Sequence, residues 1–294
     1  MPTAISLSTI TSLEIGSSTN TMAGGLDGFR MYDSILTPTQ ITALYNDTCD
    51  FNPSQITSSL WLDAQDQTTI TESAGAVSQW DDKSGNANHV SQGVGALQPT
   101  ISGSEISAVN GQFLSKSSGT NLLDANGKCT LFFMHTSIDM ATSEASFLDI
   151  FLNLSTEAGS TNRRPSVIYS KGTNGLRFNN SSTNSGFDYI TNDYSNKMFC
   201  YDVILANDQR VYVDGMLKKT INNQALDFST THDKTTIGTT NAQSSPIIFS
   251  EIVLVTGGIS ESDRQKIEGY LAWKWGNVIN LPSTHPYKNS PPRV

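Results

Sequence analysis

Residues 200–221, CYDVILANDQRVYVDGMLKKTI, contain two consecutive β-hairpins. Apolar and polar side chains alternate on either side of a turn at Asn207–Asp208, which is the period of a half-buried strand. A second turn, Asp214–Gly215, has the two-residue composition that tight hairpins prefer. The alternating positions expected to face a core are Val203, Leu205, Val211 and Val213. The stretch therefore predicts three antiparallel strands with one buried face.

Two further segments carry the same kind of signal. Residues 126–139, NGKCTLFFMHTSID, predict a strand with two different faces. Residues 247–255, IIFSEIVLV, have apolar side chains at both odd and even positions, which is typical of a central strand covered on both faces. Short strands recur at intervals of about ten residues, so the chain is predicted to be an all-β sandwich. The faces predicted for the first segment are Leu131, Phe133 and His135 on one side and Phe132 and Met134 on the other.

One convincing helix is predicted, from Glu261 to about Trp275. Ser260 is a good N-cap whose capping box is closed by Asp263, and Gly276 is suited to the C-terminal cap. The expected apolar stripe is Ile267, Tyr270, Leu271 and Trp275. The Pro-rich residues 280–294 are expected to wrap around the domain.

An internal repeat divides the chain. Residues 12–45 and 234–271 both contain a strand ending in Ile-Gly, a small polar loop, an apolar strand and a capped helix. In the first copy Thr37 is the expected N-cap and Pro38 the first helical residue. We therefore predict a partial repeat at 1–49, a linker at 50–55 and a complete domain at 56–294. The partial repeat is too short to fold alone, so we expect it to pack on the following domain or on a neighbouring chain.

Composition narrows the class of partner. The chain has 294 residues, 37% of them hydrophobic and only 15% charged, which suits a turn-rich β protein. The net charge of −9 argues against binding to nucleic acid. The sequence contains no run of about 20 apolar residues, so no membrane-spanning helix is predicted, and no secretory leader is predicted at Met1. The three cysteines, Cys49, Cys129 and Cys200, have no metal-site spacing and are expected to be buried or partly buried free thiols of a protein made in a reducing cytoplasm.

Several stretches together resemble a family. They are residues 60–71 (LWLDAQDQTTIT), 75–92 (GAVSQWDDKSGNANHVSQ), 211–215 (VYVDG) and 259–292. These residues resemble a laminin-G-like, concanavalin-A-like lectin domain across about 56–292, and 1–49 resembles the end of another such domain. The most specific part is the ending, EGYLAWKWG followed by LP and HPYK. The resemblance implies a jelly-roll sandwich of two antiparallel sheets preceded by a partial lectin-like repeat.

Domains with this ending are similar to ones in structural proteins of phages and large DNA viruses. The resemblance thus implies a virion surface, tail-fibre or capsid-associated protein with a glycan-binding, adhesive role. Its expected partners are other virion proteins and host cell-surface glycans, in a homo-oligomer or multicopy assembly. Its expected location is the virion, or otherwise the cell surface, since relatives also occur in bacterial surface proteins. A capsid decoration or cement subunit with no sugar site is the alternative.

A glycoside hydrolase is the less favoured alternative. Such enzymes need two carboxylates about 5–9 Å apart across a cleft. Glu251 is a lone acid on its strand, and Asp81 and Asp82 would face opposite ways on a strand. The four histidines, His89, His135, His232 and His285, are isolated in sequence. The sequence therefore predicts no catalytic residues, and the protein is expected not to be an enzyme.

The strongest sequence candidate for a glycan site lies between residues 154 and 197. This segment is dense in Asn, Ser and Gly with interspersed aromatic residues, the composition of adaptable recognition loops. An aromatic ring under the sugar with Asp or Asn reaching its hydroxyls is the chemistry such a site needs. Long surface hairpins whose aromatics cover the sandwich edge remain the alternative. The candidate glycan-binding residues are Tyr169, Asn180, Phe187, Asp188, Tyr189 and Tyr194.

Calcium enters through the resemblance, because many relatives in this superfamily use it to shape loops. A calcium site needs six to eight oxygen ligands, several from carboxylates. The nearest candidates are Asp63 with Asp66 and Asp188 with Asp193, but neither pair has a loop-ligand spacing. Turn formation by these side chains is the alternative, and no other cofactor is expected.

The motif WDDKSGNAN at 80–88 belongs to the resemblance and is interpreted structurally. Trp80 is expected to fill the core, Asp82 and Ser84 to close a turn, and Gly85 to supply a positive φ. Trp273 and Trp275 are expected to hold the last helix against the sandwich. The residues expected to fasten the chain end to that surface are His285, Pro286 and Tyr287.

Overall fold

The computed structural model describes residues 35–38, 50–109, 111–117, 122, 128–138, 166–170, 175–179, 186–190, 196–205, 208–222, 234–238 and 247–293. The chain forms two compact units, 1–50 with 293–294 and 51–292. In the first unit Pro38 is helical and Thr37 is not, which agrees with the predicted helix start. Asp50 and Arg293 form an isolated antiparallel bridge in the same unit. The rest of the predicted partial repeat lies outside the described residues.

Residues 51–55, predicted to be a linker, belong to the second unit. Phe51 is 3% exposed and packs in an apolar cluster, so this segment contributes to a core. A one-turn 3-10 helix at Pro53–Gln55 follows, capped by the Asn52 side chain and by Gln55 reaching back to the Asn52 N–H. The reciprocal bonds satisfy the first donors of the turn.

The second unit is built almost entirely of strands. Its single described α-helix, α1, spans Glu261–Lys274 near the end of the unit. The described strands are β1 (Ser58–Asp63), β2 (Ile70–Ser73), β3 (Ala76–Trp80), β4 (Val90–Ser91), β5 (Thr100–Ser102), β6 (Glu105–Ala108), β7 (Phe113–Ser117), β8 (Cys129–Ile138), β9 (Ser166–Ser170), β10 (Gly175–Asn179), β11 (Gly186–Ile190), β12 (Lys197–Leu205), β13 (Asp208–Val213), β14 (Met216–Asn222), β15 (Lys234–Gly238) and β16 (Ile247–Thr256).

Thirteen of these strands form one antiparallel sheet that folds over into two layers. The strand order is β14-β13-β12-β8-β16-β6-β5-β3-β4-β7-β15, with β1 paired to β16 and β2 to β3. We call β14-β13-β12-β8-β16-β1 the first layer and β6-β5-β3-β4-β7-β15, with β2, the second layer. The long strand β16 joins them, because its start pairs with β6 and its end with β1. The order does not close on itself, so the fold is an open sandwich.

The core between the layers is apolar. It contains Trp80, fully buried as predicted, and the stacked rings of Phe133 and Phe199, whose centroids are 5.0 Å apart. Burying side chains of this size stabilises the fold by about 1.5–3 kcal/mol each. Residues from both layers meet in this single cluster, which includes Leu62, Val77, Leu114, Leu131, Val203, Val211, Val213, Ile237, Phe249 and Leu254.

A second apolar cluster lies on the outer face of the first layer, under α1. Ile267 and Leu271 of the helix pack on Phe132, Met134 and other strand side chains. The two faces predicted for β8 are therefore confirmed for the described side chains. Leu131 and Phe133 lie in the core between the layers, and Phe132 and Met134 lie under the helix. The side chains of His135 and Leu205 lie outside the described set.

The predicted helix and turn are also confirmed. Ser260 accepts a hydrogen bond from the Asp263 N–H, and Gly276 has φ +69° after the last helical turn. At the β13–β14 turn, Asp214 and Gly215 have φ values of +50° and +75°, the left-handed geometry a two-residue hairpin turn needs. The all-β sandwich with one C-terminal helix is thus the fold that the sequence predicts.

Candidate functional site

The predicted glycan-binding segment forms a separate three-stranded sheet, β11-β10-β9. Its register places Tyr169 and Tyr189 opposite Leu176 from the two sides, and Asp188 opposite Arg177. Phe187 is in register with Phe178. The backbone therefore brings four of the candidate positions onto two adjacent strand pairs. Asn180, Asp193 and Tyr194 lie outside the described residues.

The WDDKSGNAN loop is held together by one carboxylate. Asp82 Oδ1 accepts from the N–H groups of Trp61 (2.8 Å) and Ser84 (2.9 Å). Its Oδ2 accepts from Ser84 Oγ (2.7 Å) and Asn88 N (2.9 Å). Gly85 has φ +88°, as predicted for this turn. The structural interpretation of the motif is confirmed, and the loop is fastened to β1.

The same loop bends toward β7. Ala87 has φ +54°, a left-handed conformation that costs a non-glycine residue about 1–2 kcal/mol. Asn88 Nδ2 donates to Ser59 O at 2.6 Å, which fixes the chain on the far side of this bend. Lys116 Nζ donates to Ala87 O at 2.7 Å and to Asn88 Oδ1 at 2.8 Å. The loop thus holds the ammonium group of a β7 lysine in one place.

A groove of about 540 Å³ opens beside this lysine, at the paired strands β4 and β7. We call it the β4–β7 groove. The half-buried Phe113 ring supplies its largest apolar side chain, and the other side chains are polar. Its described lining consists of His89, Ser91, Gln92, Gly93, Phe113, Ser115 and Lys116. An aromatic surface ringed by hydrogen-bonding groups is a composition suited to a small polar ligand.

Strand register extends the polar lining into a row across the second layer. Gln79 pairs with Ser91, Ser91 with Ser115, and Ser115 with Thr236. Directly paired residues in a sheet share a face, so four hydrogen-bonding side chains follow one line across four strands. The Thr236 hydroxyl is buried and has no hydrogen-bond partner among the described residues.

His89 lines the groove with a defined ring nitrogen. Its Nδ1 lies 3.0 Å from the Asp82 N–H and 3.1 Å from Asp81 Oδ1. One nitrogen cannot accept from the first and donate to the second at the same time. In the neutral ring that keeps the Asp82 bond, the proton is on Nε2, which is then a donor.

A second groove of about 520 Å³ provides a contrast. It lies near β2 and β5, and we call it the Glu72 groove. Its lining contains one carboxylate and no cationic side chain, and Glu72 Oε2 accepts from Gly75 N at 2.6 Å. Its described lining is Gln65, Gln67, Glu72, Gly75, Ile101, Gly103 and Ser104.

The weak calcium candidates Asp63 and Asp66 share an ammonium group. Lys83 Nζ lies 2.9 Å from Asp63 Oδ2 and 2.8 Å from Asp66 Oδ2. The hydrogen bond from Lys83, with help from Thr68, lowers the pKa of Asp66 below its ordinary value of 3.8. The pair therefore has a protein cation between its carboxylates. Within the described part of the chain, no three or more His, Cys, Asp or Glu side chains are grouped so that they could hold a metal ion.

Sequence reasoning missed the partners of Glu251. The side chain is fully buried, and both of its oxygens accept two hydrogen bonds. Oε1 accepts from Trp61 Nε1 (2.7 Å) and Tyr270 OH (2.9 Å). Oε2 accepts from Trp275 Nε1 (2.7 Å) and Lys274 Nζ (2.7 Å). Burial raises the pKa of Glu251, and the Lys274 ammonium acts against that rise.

This cluster joins β16, β1 and α1. Lys274 also contacts Asp63 Oδ1 at 2.6 Å, so two carboxylates share one ammonium. The predicted role of Trp275 as a clamp is confirmed by its bond to Glu251. Trp273 is instead 38% exposed, and its Nε1 donates to Tyr287 O of the chain end. Neither Glu251 nor Asp63 lines either groove described above.

The chain end is fastened to α1 as predicted. The buried His285 Nε2 lies 3.3 Å from Glu268 Oε2, and Glu268 also pairs with Arg264. A Cβ on Gly269 would lie 2.6 Å from Tyr287 Cβ, so the tail packs directly on the helix backbone. As expected, Cys129 and Cys200 are buried and form no disulfide among the described residues, whereas Cys49 lies outside them. In the described chain, no helix has the length and apolar character that a membrane crossing requires.

Comparison with known proteins shows the fold alone. No protein-family model and no curated protein sequence matches the chain. The binding domain of botulinum neurotoxin serotype D is similar in structure, with a TM-score of 0.52 and 13% identity over 72% of this chain and 51% of that chain. A Trypanosoma rangeli sialidase has a TM-score of 0.50 and 13% identity over 74% of this chain and 33% of that chain. An α-L-arabinofuranosidase has a TM-score of 0.50 and 12% identity over 67% of this chain and 50% of that chain. This chain therefore covers about a third to a half of the length of these three solved chains.

Proposed function

We propose that the second unit is a glycan-binding domain and that the β4–β7 groove is its saccharide site. The observation that carries this proposal is the lining of the groove. A half-buried Phe113 ring can lie under a sugar ring, and Ser91, Ser115 and Gln92 offer hydroxyl and amide groups to sugar hydroxyls.

The solved structures of similar fold support the same class of ligand. The similar structures include the sialidase in complex with sialic acid and an arabinofuranosidase in complex with arabinofuranosyl-α-1,2-xylobiose. Another is a botulinum neurotoxin binding domain in complex with rat synaptotagmin II. This sandwich architecture thus occurs in proteins that bind saccharides and in one that binds a protein receptor. Because some of these similar structures are glycoside hydrolases, hydrolysis should be tested alongside binding.

The finer proposal is an adhesive role on a virion surface, tail or capsid. Its support is the resemblance of residues 259–292 to the endings of virion lectin-like domains. Single saccharide sites bind weakly, and many copies on one particle raise the avidity without new contacts. The proposed partners are other virion proteins and host-surface glycans. Mass spectrometry of purified particles tests this role, and a chain that stays in the soluble fraction of the producing cell contradicts it.

A glycan array probed with the multivalently displayed protein tests the binding function. We expect saturable binding that Phe113→Ala lowers at least about tenfold. Tyr189→Ala, in the β9–β11 sheet that contains the glycan-binding candidates predicted from the sequence, is the matched aromatic variant. Loss with Tyr189→Ala and not with Phe113→Ala would move the site to that sheet. Silence of the folded wild-type protein, with and without calcium, would instead support the structural decoration or cement subunit.

Release of reducing sugar from the bound glycans distinguishes binding from hydrolysis. We expect none. Product that forms in proportion to protein would support the hydrolase alternative, and a loss of that activity in Glu251→Gln with retained folding would place a carboxylate of the buried cluster in the reaction.

A further inference from the structure

We infer that the second unit has a surface that binds an anionic lipid bilayer, at the corner where the β13–β14 turn meets the segment after α1. We call this surface the basic-apolar corner. None of its residues lines the β4–β7 groove, so the inference is independent of the proposed glycan-binding function. Its members are exposed apolar side chains and two neighbouring lysines: Met216, Leu217, Lys218, Lys219, Trp273 and Ile279.

Exposed apolar side chains are concentrated at this corner. Six large apolar side chains are exposed among the described residues, and four of them belong to it. Ile279, in a one-turn 3-10 helix at Val278–Asn280, is 78% exposed. Leu217, on β14, is 50% exposed. A single exposed apolar residue is ordinary, whereas a group of them marks an interaction surface.

Direct contacts join the two loops that carry these side chains. Asn277, which precedes the 3-10 helix, is buried and donates from Nδ2 to Asp214 Oδ1 of the β13–β14 turn at 2.7 Å. A Cβ on Gly215 would lie 3.2 Å from Leu281 Cδ2, so the turn also packs on the residue that follows the 3-10 helix. Met216 and Leu217 therefore leave the turn beside the loop that carries Ile279.

The chain end joins Trp273 to the same loop. Trp273 Nε1 donates to Tyr287 O at 2.8 Å, and Lys288 Nζ donates to Ile279 O at 2.8 Å. Tyr287 and Lys288 are consecutive residues, so these two bonds hold the end of α1 close to the 3-10 helix. The corner is thus fixed before any partner arrives, and its exposed residues lie on turns and at a helix end.

The charge around the corner is positive. Residues 215–226 and 269–292 contain four lysines and no Asp or Glu, although the chain has 27 acidic residues and a net charge of −9. The acidic residues that border these segments are engaged, because Asp214 pairs with Lys197 at 3.3 Å and the buried Glu268 pairs with Arg264. An anionic surface therefore attracts this corner and repels the acidic remainder, which orients the molecule.

An anionic bilayer fits this combination of side chains. Lys218 and Lys219 are exposed, whereas Lys274 is bound to buried carboxylates. Apolar side chains on turns can enter the headgroup region without a matching cavity, while the lysines stay at the level of the lipid phosphates. Tryptophan is favoured at the same interface. A soluble polyanion would contact the lysines and leave Ile279 in water.

Vesicle co-sedimentation tests the inference. The probes are phosphatidylcholine vesicles with about 30% phosphatidylserine and vesicles of phosphatidylcholine alone. We expect the wild-type protein to partition into the anionic vesicles only. Ile279→Ser should lower the partition coefficient at least about tenfold, because the buried apolar side chain is lost. Lys218→Gln should lower it about fivefold. Val94→Ser is the matched control, because Val94 is 56% exposed and lies outside the corner, and its partition coefficient should not change.

The remaining outcomes overturn the inference. Wild-type protein that sediments with neither kind of vesicle, or equally with both, contradicts an anionic-bilayer surface. An equal loss in Val94→Ser shows that the corner is not the contact. A dimer seen by sedimentation velocity without lipid, and dissociated by Ile279→Ser, assigns the corner to a second copy of the chain instead.

Two controls keep the result interpretable. Urea unfolding midpoints should be the same for wild type and Ile279→Ser, because the Ile279 side chain is mostly exposed. If the midpoint of Ile279→Ser falls, the partitioning of Lys218→Gln decides the point. The vesicles carry no saccharide, so a failure here leaves the proposed glycan-binding function standing.

Discussion

Replacing Glu251 with glutamine should be among the most destabilising single-atom changes in this fold. The carboxylate accepts four hydrogen bonds, two on each oxygen, from side chains of β1, α1 and the residue after α1. Glutamine keeps one acceptor oxygen and puts an NH₂ group where the other was. Depending on how the amide is turned, that group would face either the Trp61 N–H and the Tyr270 hydroxyl or the Trp275 N–H and the Lys274 ammonium, and in both orientations two of the bonds to the carboxylate are lost.

The magnitude follows from the bonds that are lost. Two charge-assisted hydrogen bonds are removed, each worth about 1.5–3 kcal/mol. Removing one partner of a buried ion pair costs about 3–5 kcal/mol, because the remaining charge keeps its desolvation cost. Lys274 retains Asp63 at 2.6 Å, which limits the loss. We therefore expect Glu251→Gln to lower the free energy of unfolding by about 3–5 kcal/mol.

Urea unfolding at pH 8, followed by tryptophan fluorescence, measures this change. Glu261→Gln is the matched control, because the Glu261 side chain is 78% exposed and its ion pair with Arg264 is long, at 3.7 Å. An exposed pair of this kind contributes under about 1 kcal/mol. A double-mutant cycle with Lys274→Met should show coupling above about 1 kcal/mol. If Glu251→Gln lowers stability by no more than its control does, the cluster does not hold the helix to the sandwich.

Three further changes test other parts of the structure. In Lys83→Gln the pKa of Asp66, measured by carboxyl NMR titration, should rise toward 3.8, because the ammonium that lowers it is gone. The lowered pKa of Asp66 stabilises the folded state at a pH above the pKa of the unfolded state, and this stabilisation is lost as the pH falls through the pKa of the folded state. The variant lacks this stabilisation, so it should lose less stability on acidification below about pH 4. Gly269→Ala should lower stability by about 1–3 kcal/mol and speed proteolysis of the chain end, because the new Cβ would overlap Tyr287. Asp82→Asn should cost about 2–3 kcal/mol, because an amide cannot accept all four hydrogen bonds, and amide exchange in residues 82–88 should accelerate.

The Gly269→Ala prediction has a matched control, and each of the three has a result that would contradict it. Gly258→Ala places a Cβ in open space at an unstrained position, so it should be neutral or slightly stabilising. If Gly269→Ala matches it, the tail does not pack on the helix in solution. An unchanged Asp66 titration in Lys83→Gln would show that the ion pair does not form. Unchanged exchange in the Asp82→Asn loop would show that the carboxylate is not its organising group.

Local patterns predict local structure well in this chain. Alternation along 200–221 identifies the buried faces of β12 and β13, and Asp214–Gly215 marks the turn between β13 and β14. Ser260 and Gly276 mark the two ends of α1. These features depend on neighbours a few residues apart, and single-residue preferences for φ, capping and burial are sufficient to find them.

The candidate site depends on pairing that sequence periodicity does not encode. Ser91 and Ser115 line one groove only because β4 pairs with β7. Trp61 and Glu251 meet across 190 residues of sequence. A composition rich in Asn and Tyr drew attention to 154–197, whereas the β4–β7 groove has a single aromatic ring and no unusual composition. The one sequence signal near it is the 80–88 motif, which forms a structural loop and also positions Lys116.

Hydrogen–deuterium exchange of the whole chain, with and without a saturating saccharide chosen from the array, tests the central claim most directly. The account predicts protection of backbone amides in 89–93 and 113–116, with the peptides covering 166–170 and 186–190 unchanged. Protection confined to 166–190, or none anywhere while the saccharide is bound, would contradict the assignment of the β4–β7 groove as the glycan site.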